Sequence, residues 1–220
     1  MRKNKKEMNT LVEIKSLVDF NETISEGDKT FQKLMFIYSI ATKELKTKIE
    51  IIQEESKIFN NYNLISNIDT RIKTPESIIG KMNKKGYNST YQDMINNIND
   101  IAGIRIICPS QKDIFTVRDL ITKFPGINIV KEKDYVTHPK KSGYSSYHLI
   151  VEIPVNLLAD IIYVKVEIQI RTIAMDFWAN LEHKARYKPE IKMDNSASKE
   201  WEKCAKMLRK LDNQIMILNN

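Results

Sequence analysis

Four different polar side chains alternate with aliphatic residues in the segment 164–172, Val-Lys-Val-Glu-Ile-Gln-Ile-Arg-Thr. This period of two predicts a strand that turns its aliphatic side chains to one face. The other face would carry Lys165, Glu167, Gln169 and Arg171. A cation, a carboxylate, an amide and a guanidinium in one row could hold a metal ion and phosphate oxygens. A plain amphipathic strand at a sheet surface explains the same pattern, because such alternation is common.

A second group of cations surrounds a predicted helix start at 74–76, Thr-Pro-Glu. Threonine suits the N-cap, proline the first helical position, and an acid the positive end of the helix. Arg71 and Lys73 precede this start, while Ser77 and Lys81 lie one turn apart on one helix face. Because free N–H groups at a helix N-terminus favour anions, a triphosphate would fit here. A charged, solvated helix start is the alternative.

An acid and an arginine flank a glycine at the start of a predicted buried strand, in Asp100-Ile-Ala-Gly103-Ile-Arg105. Gly103 would let a ligand or a neighbouring backbone come close. Arg105 lies between two isoleucines and needs a partner or an exit to solvent, so a structural salt bridge is the alternative. Asp100 and Glu167, one from each of two strands, form a minimal oxygen site for Mg²⁺, which completes its shell with water and substrate phosphates.

A loop at 134–148 is rich in lysine, glycine and tyrosine. Gly143 frees the backbone, Lys140 and Lys141 can meet phosphates, and Tyr144 offers a flat face to a base. A lysine-rich hairpin end would look the same. The sequence contains neither GxxxxGK[ST] nor GxGxxG, and its three histidines form no HExxH, so a P-loop, a Rossmann fingerprint and a zincin site are excluded.

The composition of the 220-residue chain fits a folded domain with extra helices. A net charge of +7 suits an acidic ligand such as a nucleotide, a nucleic acid or an anionic membrane. No apolar run has the length of a signal peptide or a membrane span, so we expect a cytoplasmic protein without a membrane partner. Cys108 and Cys204 agree with a reducing compartment, and we expect both to be small packing residues.

The elements that must position these residues follow from periodicity and caps. Helices are predicted at 11–20, 31–59, 75–85, from 90, and at 112–124, 173–187 and 195–218. A turn or short extended piece is predicted at 62–69, and strands at 101–108, 127–130, 147–153 and 162–171. The order indicates an α/β or α+β fold with a mixed sheet flanked by helices. The long helix at 31–59 and the last helix at 195–218 each carry an apolar stripe. Each stripe would either cover this chain's own core or join copies of the chain.

The motifs together resemble the synthetase domain of RelA/SpoT-type alarmone enzymes, and more closely the small synthetases of the RelQ/RelP type. They are Arg-x-Lys-x-x-x-Ser-x-x-x-Lys at 71–81, Asp-Ile-Ala-Gly-x-Arg at 100–105, Gly-Tyr-x-Ser-Tyr-His at 143–148, Val-Glu-Ile-Gln-Ile-Arg-Thr at 166–172 and Met-Asp-Phe-Trp at 175–178. The resemblance implies a nucleotidyltransferase-like sheet in a synthetase domain at 62–190. A helical N-terminal extension would occupy 1–61 and a C-terminal helix 191–220.

This resemblance implies a GTP diphosphokinase that moves pyrophosphate from ATP to the ribose 3′-hydroxyl of GDP or GTP and releases AMP, with GMP left open as an acceptor. Asp100 and Glu167 would hold Mg²⁺, and Glu167 would help to deprotonate the hydroxyl. The ATP-binding set would be Arg71, Lys73, Ser77, Lys81 and Arg105, with the two arginines around adenine. The set for the guanine nucleotide would be Lys140, Tyr144, His148, Gln169, Arg171 and Asp176, with Tyr144 stacked on the base and Asp176 accepting from it.

Two features depart from the wider family. No segment matches the histidine-aspartate hydrolase domain or the regulatory domains of the long enzymes, so synthesis without hydrolysis is expected. Residues 66–69, Ser-Asn-Ile-Asp, lack the Phe-x-Thr-Gly found where the product binds some relatives allosterically. The family precedent is a homotetramer, and the positive charge leaves regulation by RNA open. The alternative functions are a single-stranded RNA-binding module and a catalytically weak nucleotide sensor.

Overall fold

The computed structural model describes residues 23–24, 29–158, 160–187 and 195–218. Its strands are β1 Asn67–Ile72, β2 Ala102–Cys108, β3 Asn128–Asp134, β4 Tyr147–Asn156 and β5 Ile161–Thr172. Its helices are α1 Lys29–Asn60, α2 Pro75–Lys84, α3 Tyr91–Asn97, α4 Gln111–Lys123, α5 Ile173–Tyr187 and α6 Asn195–Leu218. The helix predicted at 11–20 lies outside the described residues, and the domain limits at 61/62 and 190/191 stay predictions.

The strands form one mixed sheet in the order β1-β2-β5-β4-β3. β2 and β5 are parallel, and the other neighbours are antiparallel. Alternate residues of β5 are buried, as its period of two predicts, and Val166, Ile168 and Ile170 are fully enclosed. The opposite face of the same strands is half-buried and polar. The predicted α/β fold with a mixed sheet is therefore confirmed.

Helix α1 supplies the largest single contribution to the core. Its predicted apolar stripe is buried against β1, β2, β4 and β5, and Leu45 and Ile49 have no exposed surface. Helix α4 packs on β2 and β5 as well, through Ile114, Val117 and Ile121. The α1 stripe thus covers the core of this chain, which decides between the two alternatives for that helix.

Strand β1 corrects the prediction of a turn or short extended piece at 62–69. Its residues Asn67–Ile72 pair antiparallel with β2, yet five of the six are exposed. An edge strand with little burial has no apolar alternation, so its sequence carries no strand signal. For the same reason β3 extends to Asp134, beyond its predicted end, through exposed polar residues.

Two local sequence patterns mislead. The helical spacing of Leu120 with Val117 and Ile121 predicts that it faces inward on α4, but Leu120 is 39% exposed. Asp93, three residues after Thr90, gives the sequence spacing of a capping box. Thr90 caps α3 by accepting the N–H of Asp93, but the Asp93 carboxylate accepts from the N–H of Asn88, so this box is only half formed. A reciprocal capping box forms at the start of α4 instead.

The last two helices pack on each other and make a second, smaller apolar cluster. Trp178 and Ala179 of α5 meet Ala205 of α6, with Tyr144, Trp201 and Leu208 around them. Cys108 is buried as predicted, whereas Cys204 is exposed and is not a packing residue. None of the described helices is both long enough and apolar enough to cross a membrane.

Candidate active site

The polar face of the sheet gathers predicted site residues from four neighbouring strands. In the β1–β2–β5–β4 registers, Arg71 lies opposite Gly103, Gly103 opposite Glu167, and Gln169 opposite both Arg105 and His148. Because Gly103 has no side chain, the Arg71 side chain can lie across it. A Cβ at this position would be only 3.3 Å from the Arg71 Nε. The close approach predicted at this glycine is therefore made by the Arg71 side chain lying across it.

A cleft of about 440 Å³ opens over this face. Both predicted sets contribute to its wall, the ATP set through two arginines and the guanine-nucleotide set through four residues. The lining residues are Arg71, Arg105, Lys140, Ser142, Tyr144, Gln169, Arg171, Ala179, Asn180, Glu182 and His183. Ser142 and the four residues of α5 were not among the predicted site residues. Positions 176, 179, 180 and 183 share one helix face, and that spacing is the signal that could have found them.

Asp100 lies just before β2 and forms ion pairs with both lysines of the predicted ATP-binding set. Its Oδ2 is 3.1 Å from the Lys73 Nζ and 2.6 Å from the Lys81 Nζ. Burial alone would raise the pKa of Asp100, but the hydrogen bond from Lys81 and the charges of both lysines lower it below its usual value. Lys81 therefore faces Asp100 and not open solvent, whereas Ser77 is exposed in the first turn of α2 and bonds to Thr74.

Glu167 lies at the centre of the sheet, and both of its oxygens have partners. Oε1 is 3.3 Å from the His148 Nδ1, and Oε2 accepts from the Gln169 Nε2 at 2.8 Å. Burial would raise the pKa of Glu167, but the hydrogen bond and charge of His148 and the bond from Gln169 lower it. The charge of Asp100 acts in the opposite direction, so the two carboxylates are close enough to interact. Arg71 adds an ion pair at 3.8 Å.

Tyr144 links the acceptor-side residues through its hydroxyl. Arg171 donates from Nη2 to the Tyr144 oxygen at 2.8 Å, and that oxygen is 2.8 Å from the His148 Nε2. Because a guanidinium can only donate, the hydroxyl oxygen accepts from Arg171. The same hydroxyl contacts the histidine whose Nδ1 faces the central carboxylate, Glu167. Lys140 lies 4.8 Å from the centre of the tyrosine ring.

Asp176 lies in the first turn of α5 and forms ion pairs with two arginines. Its Oδ1 is 3.0 Å from the Arg171 Nη1 and 3.3 Å from the Arg105 Nη1, while its Oδ2 accepts from the Asn180 Nδ2 at 2.9 Å. Arg171 is almost fully buried and requires this carboxylate. Asp176 therefore binds two arginines of the protein, in addition to the guanine contact predicted for it. The hydrogen bond from Asn180 fixes the orientation of its carboxylate.

The two carboxylates fit a hard divalent cation. The Asp100 Oδ1 is buried and has no hydrogen-bond partner among the described residues. Within those same residues no group of three histidine, cysteine, aspartate or glutamate side chains could hold a metal. A cation at Asp100 and Glu167 would therefore need oxygens from water or substrate to complete its shell, which is the usual manner of Mg²⁺.

Comparison with known proteins adds independent support. The model of the region found in RelA / SpoT proteins matches residues 70–192. The GTP pyrophosphokinase YwaC of Bacillus subtilis is 42% identical over 182 residues, which is 83% of this chain and 87% of that protein.

Solved structures of small alarmone synthetases agree in fold. Synthetase 2 of B. subtilis is 40% identical, with a TM-score of 0.78 over 86% of this chain and 97% of the other. Synthetase 1 of B. subtilis, bound to its product pppGpp, is 31% identical, with a TM-score of 0.80 over 87% of this chain and 97% of the other. The chain therefore belongs to the RelA/SpoT family, among the small alarmone synthetases.

Proposed function

We propose that the protein is a GTP pyrophosphokinase that transfers pyrophosphate from ATP to the ribose 3′-hydroxyl of GDP or GTP. The bond from the 3′-oxygen to the β-phosphorus forms, the bond from that phosphorus to the α–β bridging oxygen breaks, and AMP leaves. The observation that carries this proposal is that Asp100 and Glu167 contact residues of both predicted substrate sets. The contacts are with Arg71, Lys73 and Lys81 of the ATP set and with His148 and Gln169 of the guanine-nucleotide set. The likeness to YwaC supports it.

ATP would bind on the β1–β2 side of the cleft. Arg71 and Arg105 stand on neighbouring strands, and their planar guanidinium groups suit stacking on both faces of adenine. Lys73 and Lys81, which now share one oxygen of Asp100, would turn to the phosphates, with Ser77 beside them. Their positive charge would offset the negative charge that develops on the transferring group.

The guanine nucleotide would bind on the β4–β5 side. Tyr144 would stack on the base while Lys140, beside its ring, meets the phosphates. The remaining acceptor residues, His148, Gln169 and Arg171, would orient the ribose and phosphates, and Asp176 would accept from the base edge. Such positioning places the 3′-hydroxyl next to Glu167, which takes its proton as the new bond forms.

We propose Mg²⁺ as the cofactor, held by Asp100 and Glu167. Both side chains are held ionised by cationic neighbours, so each is ready to bind a cation at neutral pH. When bound, Mg²⁺ would neutralise phosphate charge in the transition state. The lysines that now neutralise Asp100 would be released to the substrate.

Five further properties are proposals of the same kind. We propose synthesis without hydrolysis, a homotetrameric assembly and a cytoplasmic location. Regulation by RNA rests on the net charge of +7 alone. GMP is included among the acceptors because the ribose and base that it offers are those of GDP.

The test is incubation of the pure protein with ATP labelled in its β-phosphate, Mg²⁺ and GMP, GDP or GTP. Glu167→Gln should slow transfer about 100-fold or more, because general-base catalysis contributes at least that much. Glu152→Gln is the matched control. Glu152 lies on the neighbouring strand β4, opposite Lys165, and Lys165 precedes Glu167 by two residues on β5. Removing Mg²⁺ with EDTA should abolish transfer.

The alternatives predict different results. A nucleotide sensor would bind GTP and ATP but transfer no label to any acceptor. An RNA-binding module would hold single strands with an affinity that Glu167→Gln leaves unchanged. Absence of transfer from folded, nucleotide-binding protein would refute the proposed enzyme.

A further inference from the structure

The segment 135–146 between β3 and β4, here named the acceptor loop, carries Lys140 and Tyr144 into the cleft. Its own hydrogen bonds close it at two levels. The N–H of Tyr135 donates to the Ser146 carbonyl at 3.0 Å, and the N–H of Gly143 donates to the Lys140 carbonyl at 2.8 Å. These bonds shape the loop, but none of them attaches it to the rest of the protein.

Helix α6 touches the acceptor loop at Gly143. This glycine has a φ of 86°, and a Cβ added there would lie closer to the Ala205 Cβ than two carbons can approach. The backbone of the loop and the small side chain of the helix therefore meet with no space between them. Trp178 of α5 also borders this position, since its Cζ2 would lie 3.6 Å from such a Cβ.

Arg209 makes a second attachment one helical turn after Ala205. Its Nη2 donates to the carbonyl of Val136 at 3.1 Å, near the start of the loop. Residues four apart share a helix face, so both attachments lie on one side of α6. The loop is thus held at both of its ends by the same helix.

An aromatic chain makes the third attachment. Tyr144 packs edge-on against Trp178, with ring centres 6.5 Å apart, and Trp178 packs edge-on against Trp201 of α6 at 6.4 Å. The ring expected to stack on guanine is therefore supported from behind by α6. The cations of the predicted ATP-binding set are held by other contacts. Lys73 and Lys81 pair with Asp100, and Arg71 pairs with Glu167.

We propose that α6 is a positioning element for the acceptor loop, and that Ala205 and Arg209 are positioning residues for guanine-nucleotide binding. The inference rests on the proposed function for the identity of the ligand. The proposal has a selective consequence. A substitution that disturbs α6 weakens binding of the guanine nucleotide and leaves binding of ATP unchanged.

Arg209→Ala is the first test, with GDP and a non-hydrolysable ATP analogue titrated separately by calorimetry. Loss of a charge-assisted hydrogen bond that orders the loop should raise the Kd for GDP about threefold to tenfold. The Kd for the ATP analogue should stay within twofold. Arg209→Lys, which keeps a donor, should restore part of the GDP affinity, and Lys210→Ala is the matched control at the next, exposed position.

Ala205→Val tests the packing contact independently of the hydrogen bond. Added methyl groups should push α6 from Gly143 and raise both the Kd and the KM for the guanine nucleotide, while Cys204→Val at the exposed neighbouring position should not. General destabilisation would instead lower the amount of active protein and leave KM unchanged.

Equal losses of GDP and ATP affinity, or no loss in folded Arg209→Ala, would overturn the role of α6. If Ala205→Val fails to fold, the Arg209 variants still decide. Failure of the proposed function is distinguishable, because wild-type protein would then transfer no label, whatever the α6 variants bind.

Discussion

Tyr144 illustrates how one residue divides its work between its two ends. The ring packs edge-on against Trp178 and lines the cleft, where its face can stack on a base. The hydroxyl accepts from Arg171 and forms a hydrogen bond with the His148 Nε2, and the other ring nitrogen of His148 faces Glu167. Base binding and the orientation of the central carboxylate are therefore separable by substitution.

Tyr144→Phe should keep the stacking surface and lose the hydroxyl bridge. We expect little change in KM for GTP but a fall in kcat of about tenfold, since the lost hydrogen bond is to a charged group. Tyr144→Ala should raise KM for GTP as well, because stacking on a base contributes about 1–3 kcal/mol. Steady-state kinetics of both variants at fixed ATP measures the split, and equal effects of the two variants on KM would contradict it.

At the scale of elements, α6 is joined to the end of β5 through a buried carboxyl. Asp212 accepts from the Thr172 hydroxyl at 2.9 Å and from the Gln111 amide at 3.2 Å, and its side chain is nearly inaccessible. Burial raises the pKa of Asp212 and outweighs these two hydrogen bonds. Among the described residues no cation contributes to this shift, so the ionised form is held less well in the folded protein than in water.

Asp212→Asn should therefore stabilise the protein at neutral pH. A carboxyl with a raised pKa in the folded state contributes most below its unfolded pKa of about 3.9, and that contribution is lost as the pH rises through the folded pKa. The amide oxygen still accepts from Thr172, so the free energy of unfolding at pH 7 should rise above that of the wild type.

Urea unfolding of wild type and Asp212→Asn at pH 7 and near pH 4 measures this difference. The gain should shrink at the lower pH, where the wild-type carboxyl takes up its proton. Asp160→Asn, at an exposed loop position, controls for the change of net charge. A variant less stable than wild type at pH 7 would show that the ionised carboxylate is favourable.

At the scale of the whole molecule, the question is which apolar surface would join copies. The apolar stripe of α1 is buried in the core of this chain, so it cannot contact another copy. On α6 the face toward the acceptor loop is also occupied. Four apolar side chains of that helix remain exposed, namely Met207, Leu211, Ile215 and Ile217.

If the protein is the proposed homotetramer, light scattering should give about four times the chain mass of 25.7 kDa. The double variant Leu211→Glu, Ile215→Glu should lower that mass, because buried charges without partners oppose association. Lys206→Glu, at an exposed site on the same helix, is the control. A wild-type mass of one chain at all concentrations would refute the tetramer, and an unchanged mass of the double variant would move the interface elsewhere.

Local sequence by itself determined most of the elements and most of the candidate residues. The alternation in β5, the threonine cap and proline before α2, and the apolar stripe of α1 each act over a few residues. Several motifs in fixed order also sufficed to identify the family. These signals can be found in the sequence because hydrogen bonding and burial within one element repeat at short, regular intervals.

Only the tertiary structure decided which of these elements meet. The pairing of Lys73 and Lys81 with one oxygen of Asp100, the edge strand β1 and the entry of Asn180 into the cleft depend on the order of strands in the sheet. The contact between Gly143 and Ala205 depends on how the last helix packs. Such contacts join distant segments and are selected by the packing of the whole chain, so no local pattern announces them.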